Sequence, residues 1–333
     1  MLTGPGGLFD RAFGRPGAAA GVSRNAAIWA YRLLLGREPE SESVIRAAVL
    51  LPSRNDLVRS VVASPEFQAR GLVGARRMDE FAAPLDVEWR VDPATLQELL
   101  AYVSATWTEL GRERPHWSVL AGPEYLPDAA ASRESEFYDS GLWDLRMLLA
   151  TLARVGREPG QFPVLFEFGC GLGRVTWHLG GAFERVIGAD ISVHHLELAR
   201  QALQARGIAN VELRQATLAD FGMSQPYDLW FSRIVLQHNP PPVIAAIIER
   251  ALRMLRPQGL AVFQVPVYLE GYRFKLDEYR RDRASFGPFE MHALPQPTIL
   301  DIARAAACTL LEVREDGAAG DPWISQVFTF QKR

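Results

Sequence analysis

The stretch Pro163 to Gly173, PVLFEFGCGLG, limits the possible fold more than any other part of the chain. Val164, Leu165, Phe166 and Phe168 form a short apolar run between a proline and glycines, the pattern of a strand buried on both faces of a parallel sheet. Gly169, Gly171 and Gly173 follow, and a helical pattern then runs from Arg174 to Leu179. Glycines at a strand-to-helix turn let the backbone bend sharply. They also let a ligand lie against bare main chain, beside the free N–H groups of the helix start. A second apolar run, RVIGAD, ends in Asp190, about 17 residues past Gly173. An acid near that distance grips a ribose hydroxyl in many nucleotide-binding βαβ units.

The turn is not the dinucleotide fingerprint, because Thr176 stands where the third glycine would be, and it lacks the Lys-Ser/Thr ending of a phosphate loop. Glu167, two residues before the first glycine, would repel a pyrophosphate. It suits a cationic ligand, such as one carrying an amino group and a sulfonium. From Pro163 onward strand and helix patterns alternate. VLFEF, RVIGAD, NVELRQ, YDLWFS and GLAVFQVPV read as strands. Val175 to Leu179, Val193 to Arg206 (ended by Gly207) and Val243 to Leu255 (stopped by Pro257 and Gly259) read as helices. Such alternation implies right-handed crossovers and a parallel sheet covered on both faces. Its ligands sit at the carboxyl ends of the strands, at the switch point beside the first. Glu167, Gly169, Asp190, Thr217 and Ser232 all fall at or just past strand ends. Tyr268 to Pro295 is a long polar-aromatic insertion, after which PTILDIARAAAC reads as a helix and TLLEVRED and WISQVFTFQ as two final strands.

EFGCGLGR followed by VIGADIS resembles motifs I and II of the class I S-adenosylmethionine (SAM)-dependent methyltransferases. The likeness continues through NVELRQATLADF, YDLWFSRIVLQHNPP and LRMLRPQGLAVFQVP and covers roughly residues 116–333. It implies an α/β Rossmann-like sheet with an antiparallel last strand, SAM as cofactor, and an enzyme of class EC 2.1.1. Residue by residue, it implies that Glu167 and the backbone of Gly169 and Gly171 hold the methionine portion. Phe168 and Cys170 belong to the same turn, and Asp190 takes the ribose hydroxyls. Ile191 and Leu218 sandwich the adenine, Asp220 or the Thr217 region reaches its amino group, and Ser232 completes the cofactor set. Thr217 departs from the acid that many relatives carry, so backbone groups could supply that contact. Cys170 reads as a small residue of the turn rather than a nucleophile, since no base is visible beside it.

Methyl transfer to a hydroxyl benefits from a general base. His238, in LQHN just after the fourth strand, is placed for that role. His292, in FEMHALP, is the second candidate, with Glu290 to orient a histidine or bind the acceptor. Against each stands the ordinary reading of a hydrogen-bonded structural histidine. No metal is expected: RIVLQHNPP contains no carboxylate, which weighs against a set built from His238, Asn239 and Glu290, and the adjacent His194 and His195 point different ways on a helix.

Upstream, residues 1–22 are rich in Gly, Ala and Pro and are expected to be loose, and 23–75 read as a helical module. Residues 76–115 read as a linker and cap helix, and 116–333 as the methyltransferase domain. YRLLLGREPE and SPEFQAR resemble a short helical domain of unknown function found in bacterial proteins linked to the cell surface and its polysaccharides. That resemblance implies a docking or assembly role for residues 23–71. Tyr138 and His116 are candidates for covering the cofactor, although packing in the cap is the better reading for each. A net charge of −3 gives no reason to expect nucleic acid, and two cysteines fit a reduced cytoplasmic setting. No stretch approaches the length of a membrane span. The resulting expectation is an O-methyltransferase of a sugar hydroxyl in a bacterial surface glycan or its precursor, with Tyr268, Tyr272 and Phe274 available to stack on the sugar. The alternatives are a methyltransferase-like scaffold of a biosynthetic complex, or a methyltransferase of small natural products.

Overall fold

The computed structural model describes residues 21–69, 82–217, 219–287 and 289–333. The glycine-rich start, the first part of the expected linker and Leu218 lie outside these. The chain divides into two compact units between Arg77 and Met78.

The first unit is helical: α1 (Arg24–Leu35), α2 (Glu42–Val49), α3 (Arg54–Val62) and α4 (Pro65–Ala69). Ser23, Ser41 and Ser53 each cap the helix that follows by accepting a backbone N–H, and Gly36 ends α1 at φ 58°. Ala27, Leu35, Ile45, Leu57 and Phe67 close a small core. The Asp56 carboxylate accepts the Ser53 hydroxyl in turn.

The second unit holds a seven-stranded sheet in the order β4-β3-β2-β5-β6-β9-β8. Its strands are β2 (Val164–Phe168), β3 (Arg185–Asp190), β4 (Val211–Gln215), β5 (Tyr227–Ser232), β6 (Leu255–Tyr268), β8 (Cys308–Asp316) and β9 (Ile324–Lys332). Strands β2 to β6 pair in parallel, and β9 pairs antiparallel with both β6 and β8. Strand alternation sorts the core into two layers. Phe166, Phe168, Trp230 and Phe263 face one side, under α5 (Pro93–Glu113), α12 (Pro241–Met254) and α14 (Gln296–Ala305). Leu165, Leu229 and Val262 face the other, under α9 (Gly141–Arg154) and α10 (Thr176–Ala182). The chain order reverses between β2 and β5, which opens a crevice at their carboxyl ends.

Three local expectations change. Pro257 and Gly259 do not stop a helix: α12 ends at Met254, and both residues lie in the irregular start of β6, where pairing with β5 slips between Tyr227 and Leu229. The helical, largely apolar run from Glu134 to Gly156 does not form one helix: it is broken at Ser140 into α8 (Glu134–Asp139) and α9. Gly141 lies so close to the Arg174 carbonyl that a Cβ there would come within 2.1 Å of its oxygen. Finally, the segment before α5 is more than a linker. β1 (Asp86–Val87) pairs in parallel with β7 (Arg273–Phe274) from the insertion, and Glu98 of α5 holds Arg280 and Arg283.

Candidate active site

The β2–α10 turn is fastened to the end of β3. The N–H groups of Gly169 and Cys170 both donate to the Ala189 carbonyl, at 2.7 and 3.0 Å. Gly169 has φ 77°, and a Cβ there would meet the Val235 side chain at 2.3 Å, so no other residue fits without displacing the loop after β5. Gly171 turns its N–H to Asp190 Oδ2 at 2.8 Å, while Ser192 N–H donates to Asp190 Oδ1 at 2.9 Å. The carboxylate is thus fixed by backbone, with His195 Nδ1 3.5 Å from Oδ1, and Asp190 borders a cavity of about 550 Å³.

Glu167 borders the same cavity. It is buried, and Oε2 has no hydrogen-bond partner among the described residues. Burial raises its pKa to about 7, with Thr176 and Arg174 pulling the other way and Asp144 and Asp190 adding to the rise. Beside it runs a buried ion-pair chain. Arg174 Nη2 lies 2.7 Å from Asp144 Oδ2, Arg233 binds the other Asp144 oxygen, and Arg233 Nη2 lies 3.0 Å from Asp316.

The rest of the wall comes from α5, α6 (Pro115–Val119), the loop after β5 and the insertion. Phe289 meets Trp117 and Trp107 edge-on at 4.7 and 5.7 Å, and His238 lies 5.5 Å from Trp107. His238 Nδ1 stands 3.1 Å from the Glu290 carbonyl oxygen, an acceptor only, so Nδ1 carries the proton. The other side agrees: Gln264 Nε2 donates to Gln237 Oε1, which leaves Gln237 Nε2 as a donor toward His238 Nε2 at 3.4 Å. Nε2 is therefore the basic nitrogen. Burial pushes the imidazole pKa down to about 4, keeping it neutral at ordinary pH.

Residues 165–259 match the family model described as a methyltransferase domain. These residues read as a class I SAM-dependent methyltransferase domain. It is 30% identical over 156 residues to a malonyl-[acyl-carrier protein] O-methyltransferase of Yersinia pestis, covering 45% of this chain and 56% of the relative. It is 29% identical over 105 residues to a ubiquinone biosynthesis O-methyltransferase of Actinobacillus pleuropneumoniae, covering 30% of this chain and 44% of the relative. The chain therefore spans about half the length of the curated relatives it matches. The magnesium protoporphyrin IX methyltransferase of Synechocystis PCC 6803, crystallised with S-adenosylhomocysteine (SAH), shares the fold at TM-score 0.50 and 18% identity, over 70% of this chain and all of that one.

Within this methyltransferase domain Glu167, Phe168, Gly169, Cys170, Gly171, Asp190, Ile191, Thr217 and His238 all line the cavity. Four expected residues do not. Ser232 donates its hydroxyl to the Phe168 carbonyl at 3.0 Å, bridging two strand ends instead of facing a ligand. The Asp220 carboxylate accepts from Thr217 Oγ1 and Gly222 N–H and holds its own loop. His292 is buried between Tyr272 and Glu290, and the Glu290 carboxylate lies between His292 and Tyr279. These two belong to a structural cluster behind the wall, and only the Glu290 carbonyl acts on the site, through His238. Tyr138 and His116 pack around Phe137 outside the cavity, Tyr138 with its hydroxyl 3.3 Å from the Leu172 carbonyl.

Sequence reading missed Trp107, Trp117, Phe289, Arg174 and Arg233. Arg174 directly follows the glycine turn and Arg233 directly follows β5, so position alone could have flagged both. Phe289 lies far in sequence from Trp107 and Trp117, and none of the three carries a local signal.

Proposed function

We propose that this protein is a SAM-dependent methyltransferase that methylates a hydroxyl of a small molecule, with His238 as general base. The observation that carries it is the unpaired, buried Glu167 oxygen on a cavity wall shared with the glycine turn and Asp190. A buried carboxylate left without a partner costs stability. A ligand ammonium would supply that partner, and the fixed Asp190 carboxylate is set to accept two adjacent hydroxyls. Gly169 and Gly171 line the same cavity as these two carboxylates, so the residues present fit SAM. When bound, SAM would supply an electrophilic methyl group on a sulfonium for transfer to the acceptor oxygen.

His238 Nε2 is the acceptor for that proton. Its tautomer is fixed by Glu290 and Gln237, and it is unprotonated at neutral pH. The wall of Trp107, Trp117 and Phe289 excludes water and orients the acceptor. Both curated relatives described above are named O-methyltransferases, which supports oxygen as the methylated atom. The sugar acceptor expected from the sequence loses its support: Tyr272 and Phe274 pack with His292 in the cluster behind the wall, away from the cavity.

Calorimetric titration with SAM and SAH tests this reading. Binding by the wild type that weakens at least tenfold in both Glu167→Gln and Asp190→Ala is expected. A folded wild type that binds neither compound would overturn it.

A further inference from the structure

The acceptor side of the cavity differs in chemistry from the side bounded by Glu167 and Asp190. Among the described lining residues the charged ones are Glu167, Arg174, Asp190 and Arg233. Both arginines are already paired with Asp144, and Arg233 also with Asp316. No uncompensated cation is left there to hold a phosphate or carboxylate. The polar side chains on this side are few and partly engaged: Gln237 Oε1 accepts from Gln264, its Nε2 stands 3.4 Å from His238 Nε2, and Asn239 Nδ2 donates to the carbonyls of Val235 and Leu236. The greater part of this side is aromatic and aliphatic: Trp107, Trp117, Phe289 and Met291, with Leu100 and Val103 beside them.

The rings are arranged, not merely present. Phe289 stands nearly perpendicular to Trp107 (81°), Trp117 (87°) and His238 (84°), with centroids 4.7 to 5.8 Å apart. Perpendicular rings offer both faces and edges to a flat guest, and each such ring pair contributes roughly two- to tenfold in affinity beyond burial alone. A puckered ring or an alkyl chain gains burial but not this term.

We propose that the acceptor is a neutral, planar aromatic molecule bearing a hydroxyl, with its ring against Trp107, Trp117 and Phe289 and its hydroxyl toward His238 Nε2. This rests on the methyl-transfer reading above and narrows it to a substrate class. A phenol also gives up its proton far more readily than a sugar or alkyl alcohol. That suits a histidine whose own basicity burial has weakened.

The test holds the carbon skeleton constant and removes only planarity. SAH-saturated protein is titrated in a calorimeter with 2-naphthol, with decahydro-2-naphthol and with methyl glucoside. Saturable binding of 2-naphthol, about tenfold or more tighter than its saturated counterpart, is expected, and Trp107→Leu should weaken it about fivefold. Equal or tighter binding of decahydro-2-naphthol overturns the proposal. So does saturation by methyl glucoside alone, or no binding of any of the three by protein that binds SAH. The series is repeated without SAH. A wild type that fails to bind SAH counts against the methyl-transfer reading, while the ring preference is still measured.

Discussion

The Nδ1 atom of His238 lies 3.1 Å from the backbone carbonyl oxygen of Glu290, 52 residues further along the chain. One backbone atom of the insertion thus sets which nitrogen of this imidazole, the proposed base, carries the proton. Replacing His238 with Gln keeps a similar size but removes the base, and kcat should fall by about 10²–10⁴-fold. SAH affinity, measured by calorimetry, should change far less. Since the imidazole is neutral above about pH 4, the profile of kcat with both substrates saturating should show no acid limb near 6.5. A limb there would place another group in the role.

Glu167 gives the opposite pH signature. In the cofactor-free protein its carboxyl ionises near pH 7, and pairing with an ammonium would lower that value. Binding below pH 7 must then expel a proton. SAM affinity should fall by about tenfold per pH unit on the acid side and level off above pH 7. Calorimetry in buffers of different ionisation enthalpy would count the proton released. Glu167→Gln should abolish this dependence.

The same shift acts on folding. Between the unfolded value of 4.5 and about 7 the folded protein holds a proton that the unfolded chain has lost. Stability without cofactor therefore declines as pH rises through that window. Glu167→Gln should be more stable than wild type at pH 8, by about 3 kcal/mol, and no more stable below pH 4.5. Urea unfolding at the two pH values measures it.

Asp144 bridges Arg174 and Arg233 while being nearly inaccessible to solvent. Removing its charge leaves the buried Arg174 without its carboxylate partner and Arg233 with Asp316 alone. Asp144→Ala should destabilise the second unit by about 3–5 kcal/mol, seen as a lower urea midpoint.

Ser232→Ala and Asp220→Asn separate the structure from the sequence expectation. Each side chain serves its own strand end or loop, so SAM affinity should stay within about twofold. Ser232→Ala should cost about 1 kcal/mol of stability through its lost hydrogen bond to Phe168. A tenfold loss of SAM binding in either variant would restore these residues to the cofactor site.

The methyltransferase sheet was legible because its signals are local. Apolar runs, the glycine turn and Asp190 all sit within about 30 residues, and the turn's geometry follows from residue types in contact along the chain. The acceptor wall was not legible, because Trp107, Trp117, His238 and Phe289 meet only once four separate segments have folded. His292 shows the limit from the other side. By sequence it is as plausible a base as His238. Only the position of Tyr272 and Glu290, each 2.9 Å from a ring nitrogen, reveals that His292 is held on both sides away from the cavity, whereas His238 borders the cavity and its Nε2 has only a long contact of 3.4 Å to Gln237. Likewise Ser232 stands at a strand end, yet alternation and a nearby carbonyl decide where its hydroxyl points.

The pairing of β1 with β7 joins Asp86 and Val87 to Arg273 and Phe274, and Glu98 reinforces the join through Arg280 and Arg283. Residues 86–121 and 269–291, distant in sequence, thus form one exchangeable part. A chimera that imports the insertion from a homologue without its matching upstream segment would mismatch the strand pair and misplace Phe289 against Trp107 and Trp117. Transplanting both halves together is the way to hand this cofactor site a different acceptor, and a truncation beginning at residue 116 would discard Trp107 along with the strand that anchors its neighbours.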